Sequence, residues 1–269
     1  MVLELLTTHL QKLVAARRKT RSLSAWNVGR CVREGWYTVH EVEGEPLQPR
    51  ALMVFDLGDR VEDAVLEWLI AAGVPLIRTN ESRDTTTIPE VEIRVRPDAF
   101  IDVNGEHMTV EIKSMSNFGF DRADRGELDE SYLIQVECEM RGFGTQRGIV
   151  IGYRKETSHL CEVVVERSDE RWEKIRQNVA LARGDVTPPR PYELDAYCKG
   201  CQGTGKTPAK GLPHKACDGT GQIPGGPFLP VFPCGYCAFK TTCWGELEFV
   251  EHDGKPRWRV SGQRQGQGN

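Results

Sequence analysis

The dipeptide Asn104-Gly105 constrains the fold of this 269-residue chain most strongly, because both residues tolerate the positive φ angles of a two-residue β-turn. An alternating, β-rich segment precedes the dipeptide and the segment HMTVEIKS follows it, so the pattern predicts an antiparallel hairpin. A two-residue turn at these positions pairs Val103 with Glu106 and thereby sets the register of the whole hairpin.

This register brings three chemically active side chains to one place. Asp98 lies directly opposite Glu111, with Cβ atoms about 5 Å apart. Lys113 follows two residues after Glu111 and shares its face, whereas Val110 and Ile112 point to the opposite, buried face. Two carboxylates can hold Mg²⁺ or Mn²⁺, and a nearby lysine can orient or deprotonate a water molecule or stabilise developing charge. The trio predicts phosphodiester hydrolysis; the alternative is a salt-bridged triplet on a hairpin surface.

Hydrophobic periodicity in the rest of the chain predicts a mixed α/β core. The predicted helices cover residues 1–20, residues 24–37 with Ser24 as the N-cap, residues 52–72, the segment LDESYLIQVECEMRGFG, and a segment capped by Ser168. The remaining predicted strands are RGIVIGYR and LCEVVVER.

The composition changes near residue 197, which predicts a division of the chain. Residues 198–226 are rich in Gly, Lys and Cys and too poor in large apolar residues to form a core unaided. We therefore predict a core of residues 1–197, an insert of residues 198–226, a cysteine-bearing segment of residues 227–250, and a partly disordered tail of residues 251–269.

Charge and hydropathy argue against several classes of protein. A formal net charge of −4 argues against a protein that coats nucleic acid through a general positive field. No apolar run approaches the roughly 20 residues that a membrane span requires. The N-terminal segment has leucines at helical spacing and an early Glu4, which indicates an amphipathic helix and not a signal peptide. We expect a cytoplasmic protein without membrane contact.

The chain has nine cysteines, and in a reducing cytosol their clustering points to metal rather than to disulfides. Cys234, Cys237 and Cys243 supply three thiolates, and Cys31, far upstream, is the candidate for the fourth ligand. Their spacing alone permits either zinc or an iron–sulfur cluster. Two cysteines stand alone in apolar patterns and are predicted to be core residues, namely Cys138 and Cys161.

The glycine-rich insert carries a second set of candidate ligands. The segments CKGCQGTG and HKACDGTG resemble the CxxCxGxG repeats of the DnaJ zinc domain, with His214 in place of the first cysteine of the second copy. The resemblance implies a Cys₃His zinc site formed by Cys198, Cys201, His214 and Cys217. The alternative is a flexible loop with incidental thiols.

The segments RPDAFID and VEIKS resemble the PD-(D/E)XK nuclease motif, in which Asp98 is followed by Glu111, Ile112 and Lys113. Upstream, a glycine is followed four residues later by Glu62, where the RecB-like family has a metal-binding His.

Downstream, Gln135 matches the first residue of the family's Gln-x-x-x-Tyr motif, but position 139 is Glu. Tyr132, on the preceding helical turn, is the candidate substitute for the missing tyrosine. One cysteine before this core and three after it resemble the iron–sulfur RecB-like nucleases, such as the CRISPR-associated and AddB-type exonucleases.

The resemblance implies a restriction-endonuclease-like core, with a mixed central sheet flanked by helices, in a Mg²⁺- or Mn²⁺-dependent DNA exonuclease of repair or recombination. The implied cation ligands are Glu62, Asp98, Glu111 and the carbonyl of Ile112. The implied DNA contacts are Arg94, Arg96, Tyr132 and Gln135, with Gln135 also counted in the catalytic group. The implied 4Fe–4S ligands are Cys31, Cys234, Cys237 and Cys243.

Two other functions stay open at this point: a non-catalytic DNA-binding scaffold with structural metals, and a restriction-like endonuclease. Self-association and contact with recombination or replication proteins are also compatible with the sequence.

Overall fold

The computed structural model describes residues 5–10, 12, 22–78, 85–197, 206–207, 212–217, 219, 222–224, 226–230, 233–252 and 255–261. It divides into two compact units, Met1–Val42 with Pro49–Pro188, and Glu43–Gln48 with Pro189–Asn269. Among the described helices, none combines the length and apolar composition of a membrane span.

A central five-stranded sheet organises the first unit. Its strands are β1 (Leu76–Arg78), β4 (Ala99–Val103), β5 (Glu106–Met115), β6 (Arg147–Arg154) and β7 (Leu160–Glu166), in the spatial order β1-β4-β5-β6-β7. Only β5 and β6 run parallel, so the sheet is mixed. A separate small hairpin joins β2 (Thr86–Ile88) to β3 (Ile93–Val95).

The predicted register of the β4–β5 hairpin is confirmed. Val103 pairs with Glu106, and the ladder continues to the pairing of Ala99 with Val110. Asn104 and Gly105 have φ angles of 56° and 84°, the pair of positive values that a type I′ turn requires. The local turn chemistry thus sets which side chains of β5 lie opposite the end of β4.

Between residues 22 and 188, the described part of the first unit contains six helices. They are α1 (Ala25–Arg30), α2 (Val32–Val39), α3 (Pro49–Ala71), α4 (Asn117–Ala123), α5 (Glu130–Phe143) and α6 (Asp169–Arg183). The predicted caps at Ser24 and Ser168 are confirmed, since each side chain accepts a backbone N–H of the first turn. The prediction missed α4, which Ser116 caps.

The prediction of one helix across residues 24–37 is wrong, because the helix is interrupted at Cys31. This residue is extended, with φ −152° and ψ 102°. It ends α1 and caps α2, where its Sγ atom accepts the backbone N–H of Glu34 at 3.4 Å. At this N-cap position, the sulfur atom can accept a backbone N–H that has no partner within the helix.

The two faces of the sheet pack against different helices. Val110 and Ile112 face α3, where Val65 and Leu66 are fully buried. The opposite face of β5 is covered by α5, whose buried Val136 belongs to a second apolar cluster. A third cluster joins α1, α5, α6 and the β2–β3 hairpin. Cys138 and Cys161 are also members of these clusters, which confirms the prediction that both are core residues.

The second unit consists of short elements. It contains β8 (Asp195–Tyr197), β9 (Gln222–Pro224), α7 (Lys240–Trp244), β10 (Leu247–His252) and β11 (Lys255–Val260), with 3₁₀ turns at Lys215–Cys217 and Cys234–Tyr236. Within this unit, Glu45 accepts hydrogen bonds from Lys240 Nζ at 2.7 Å and from the backbone N–H of Thr241 at 3.0 Å. The second unit includes the connector Glu43–Gln48. The β10–β11 hairpin was not predicted, and residues 262–269 lie outside the described residues.

The close packing of α5 on the sheet can be tested at Gly148, on β6. A Cβ atom there would lie 2.5 Å from Val136 Cγ1 and 2.8 Å from Thr109 Oγ1, so Gly148→Ala should lower the free energy of unfolding by about 1–3 kcal/mol. Gly119→Ala is the control, because its Cβ would lie 3.6 Å from the nearest atom, Ser116 Oγ, within a helix. Urea unfolding of both variants measures the difference, and equal stabilities would contradict this packing.

Candidate active site

Asp98 lies just before β4, where the register of the hairpin holds it against β5. Its backbone N–H donates to the carbonyl of Val110 at 3.0 Å, and its Oδ2 accepts the backbone N–H of Ile112 at 2.7 Å. The side chain is buried. The carboxylate is therefore oriented by the backbone of the neighbouring strand and not by a flexible loop.

Glu111 and Lys113 lie on the face of β5 that α5 covers, as strand alternation predicts. Lys113 Nζ forms an ion pair with Glu111 Oε1 and donates a hydrogen bond to Gln135 Oε1 at 2.9 Å. The lysine is thus held between a strand carboxylate and a helix amide. Four residues predicted to share a site, Asp98, Glu111, Lys113 and Gln135, lie together.

Glu139 extends this cluster, although the sequence comparison marked it only as a departure from tyrosine. It lies one helical turn after Gln135, and its Oε1 atom accepts a hydrogen bond from Gln135 Nε2 at 3.1 Å. Its side chain is 1% exposed, and its carboxyl group faces that of Glu111. The signal that would have revealed it is the i, i+4 spacing from Gln135, which places both residues on one helix face.

The described site contains more buried carboxyl groups than buried amino groups. Burial raises the pKa of Asp98 well above its usual range, and the charges of Glu111 and Glu62 raise it further. Burial, Glu111 and Asp98 likewise raise the pKa of Glu139. Burial opposes the charge of Lys113, but the adjacent carboxylates outweigh it and raise the pKa of the ammonium group. Lys113 is therefore a cation at neutral pH.

The residues fit a hard divalent cation by their chemistry. All candidate ligands are oxygen donors, which Mg²⁺ and Mn²⁺ prefer. Glu111 Oε2 is buried and accepts no hydrogen bond from the described residues. Within the described ranges, however, no three His, Cys, Asp or Glu side chains converge on one point as a closed metal site would require. Lys113 instead occupies one side of Glu111, so cation binding would require this carboxylate to adjust.

Two aromatic rings flank the lysine. Lys113 Nζ lies 5.8 Å from the centroid of Trp26 and 5.5 Å from that of Tyr132. The guanidinium group of Arg30 stacks over Trp26 at 4.5 Å. Tyr132 was predicted at the site from its helical position, whereas Trp26 was not, because nothing in a single sequence places α1 next to β5. Aromatic faces beside a charged group suit contact with flat ring systems such as nucleotide bases.

The other predicted DNA contacts lie on a different element. Arg94 is on the exposed side of β3, and Arg96 directly follows that strand and is half-buried. Glu62 lies on α3 and is close enough to Asp98 to influence its pKa.

The four cysteines predicted to hold an iron–sulfur cluster are divided between the two units of the chain. Cys31 belongs to the first unit, and Cys234, Cys237 and Cys243 belong to the second. Cys237 Sγ accepts the backbone N–H of Phe239 at 3.4 Å.

Two of the four predicted zinc ligands are described. The Cys217 Sγ atom lies 3.7 Å from His214 Nδ1, and Cys217 is buried. The other two, Cys198 and Cys201, lie outside the described residues.

No known protein-family profile matches the sequence, and no curated protein is detectably similar to it in sequence. The structure is similar to that of SSO0001, with a TM-score of 0.48 and 14% identity over 92% of this chain and 98% of the other. It is also similar to LHK-Exo, an alkaline exonuclease from Laribacter hongkongensis, with a TM-score of 0.45 and 14% identity over 65% of this chain and 90% of the other. A phage-related exonuclease from Haemophilus somnus 129PT matches with a TM-score of 0.42 and 14% identity over 60% and 92% of the two chains.

The electrostatics of α5 can be tested with two of its buried glutamates, one surrounded by hydrogen-bond donors and the other by carboxyl groups. Glu137 accepts from Arg141 Nε, Arg171 Nη1 and the backbone N–H of Ser168 at 2.8–2.9 Å, whereas Glu139 faces carboxylates. Without added divalent cation, Glu139→Gln should raise the free energy of unfolding by about 1 kcal/mol or more, because it removes a buried like charge.

Glu137→Gln should lower the same quantity by about 3 kcal/mol, because it leaves two arginines without their buried partner. Thermal unfolding at neutral pH measures both. A lower stability of Glu139→Gln than of the wild type would mean that this carboxyl group is already compensated.

Proposed function

We propose that the chain is a divalent-cation-dependent nuclease that hydrolyses phosphodiester bonds in DNA. The observation that carries the proposal is the convergence of buried Asp98 and Glu111 with a single charged lysine, Lys113, on one sheet face. A surface salt bridge does not account for it, because the carboxylates are buried and outnumber the lysine. An excess of buried acid is costly unless a cation or protons offset it.

The roles of the residues follow from their contacts. Asp98, Glu111 and Glu62 would hold the cation, with the carbonyl of Ile112 as a further ligand. When bound, the cation polarises the phosphate and lowers the pKa of a water molecule. The adjacent carboxylates favour the ammonium form of Lys113, which would donate hydrogen bonds to oxygen atoms that gain negative charge. Gln135 holds Lys113 in position through the 2.9 Å hydrogen bond.

The preference for DNA ends rests on the motif order in the sequence, which resembles exonucleases. Tyr132 and Trp26 would contact bases next to the scissile phosphate, and Arg94 and Arg96 would contact the DNA backbone. The second candidate is a non-catalytic DNA-binding scaffold, which retains the resemblance but needs no charged lysine between buried carboxylates. A restriction-like endonuclease would share the chemistry and differ in cutting circular DNA.

Lys113→Ala and Glu111→Ala should each reduce cleavage by about 100-fold or more, because each removes charge stabilisation at the reacting phosphate. The measurement uses end-labelled linear DNA and covalently closed circular DNA, with Mg²⁺, Mn²⁺ or EDTA. Lys155→Ala is the control, since Lys155 is an exposed lysine beyond the end of β6. An exonuclease cuts only the linear DNA, and cleavage by both site variants at the wild-type rate would exclude these residues as the active site.

We also propose that the chain carries two structural metal centres, as its cysteine patterns imply. Cys31, Cys234, Cys237 and Cys243 would hold a 4Fe–4S cluster. In its support, Cys31 and Cys237 each accept a backbone N–H at the sulfur, a contact that stabilises a metal-bound thiolate.

The insert would hold zinc through Cys198, Cys201, His214 and Cys217. The proximity of Cys217 Sγ to His214 Nδ1 supports this part of the proposal.

The two centres should respond independently to substitution. Cys31→Ala should lose iron and the brown colour of the anaerobically purified protein while keeping zinc, and Cys201→Ala should lose zinc while keeping iron. Cys161→Ala should keep both, because this thiol packs in the core. Elemental analysis of the three variants decides the assignment, and loss of iron from Cys201→Ala would mean that the cysteines are assigned to the wrong centres.

A further inference from the structure

The α5 face of the site contains two buried oxygen atoms that no hydrogen bond satisfies within the described residues. They are Glu111 Oε2 and Glu139 Oε2, on side chains that are only 3% and 1% exposed. A buried acceptor without a donor costs about 1–3 kcal/mol, and more when it is charged. A positive partner shared by the two carboxyl groups, either a cation or a proton, would satisfy both atoms.

The groups around Glu139 do not supply that partner. Its Oε1 accepts from the amide of Gln135, which is neutral. The charges that act on it are those of Glu111 and Asp98, and of Lys113, whose ammonium group is already paired with Glu111 Oε1. Glu137, two residues earlier on the same helix, shows the opposite arrangement, since two arginines neutralise it. The chain therefore neutralises one buried glutamate of α5 with its own cations and leaves the other facing acid.

We propose that Glu139 is a ligand of the divalent cation that Glu111 binds, so that α5 contributes a carboxylate to the cation site. This inference rests on the proposed nuclease site and extends it, because position 139 belongs to no cation-binding position of the motif that the sequence resembles. Glu139 is rigidly placed for this role, since it is buried and oriented by Gln135 on the adjacent turn. The same amide that positions Lys113 thus also positions the additional ligand.

The test measures Mn²⁺ binding to the full-length protein without DNA, by electron paramagnetic resonance of the free ion. Mn²⁺ is the chosen probe because a hard cation binds oxygen ligands and not the thiolates of the cysteine sites. Glu139→Gln should weaken binding at least about 10-fold, or remove one bound ion per chain. Glu139→Asp keeps the charge but withdraws the carboxylate, so it should weaken binding too. Glu130→Gln, an exposed glutamate of the same helix, should bind as the wild type does.

Three results would overturn the inference, and they are distinguishable. If Glu139→Gln binds Mn²⁺ as the wild type does while Glu111→Gln does not, the cation site stands and Glu139 is not part of it. If Glu139→Asp alone binds normally, the charge of Glu139 acts at a distance and the carboxylate is not a ligand. If Glu111→Gln also binds normally, the proposed nuclease site itself is wrong. Circular dichroism confirms that each variant is folded before it is measured.

Discussion

The hydrogen bond from the backbone N–H of Ile112 to Asp98 Oδ2, 2.7 Å long, connects the two strands at the point on which the site depends. It forms only because the Asn104-Gly105 turn aligns β4 with β5 in one register. A shift by one residue would exchange the two faces of β5 and bury Ile112 where Glu111 now lies. The apolar packing under α3 and the polar site under α5 therefore depend on the same turn.

Helix α5 shows how a single element serves both stability and function. Its residues Ile134 and Val136 enter two different apolar clusters, and Glu137 makes a buried, fully compensated network with Arg141 and Arg171. Two residues later, on the site face, Glu139 meets Glu111, and the nearby ammonium group of Lys113 is already paired with Glu111. A buried carboxylate that is paired with cations of the chain is compatible with a stable fold. A buried carboxylate without such a pair is destabilising until a ligand of opposite charge binds. Two glutamates that are two residues apart on one helix thus have opposite electrostatic surroundings.

Lys113 receives its properties from this surrounding acid. Burial alone would favour the neutral amine, but the ion pair with Glu111 and the charge of Asp98 favour the ammonium form. The aromatic rings of Trp26 and Tyr132 face the same ammonium group, so a nucleotide bound there would meet charge and stacking surfaces together.

The sequence by itself determined the hairpin, its register and the helix face that carries Gln135, because turn chemistry, strand alternation and helical spacing are local properties. It also determined the caps at Ser24 and Ser168, for the same reason. Only the tertiary structure decided that α5 covers the Glu111 face. That contact makes Glu139 part of the site, and the break of the chain at Cys31 likewise appears only in the folded protein. Such features depend on contacts between segments far apart in the chain, whose energies outweigh local propensity and leave no periodic trace in a single sequence.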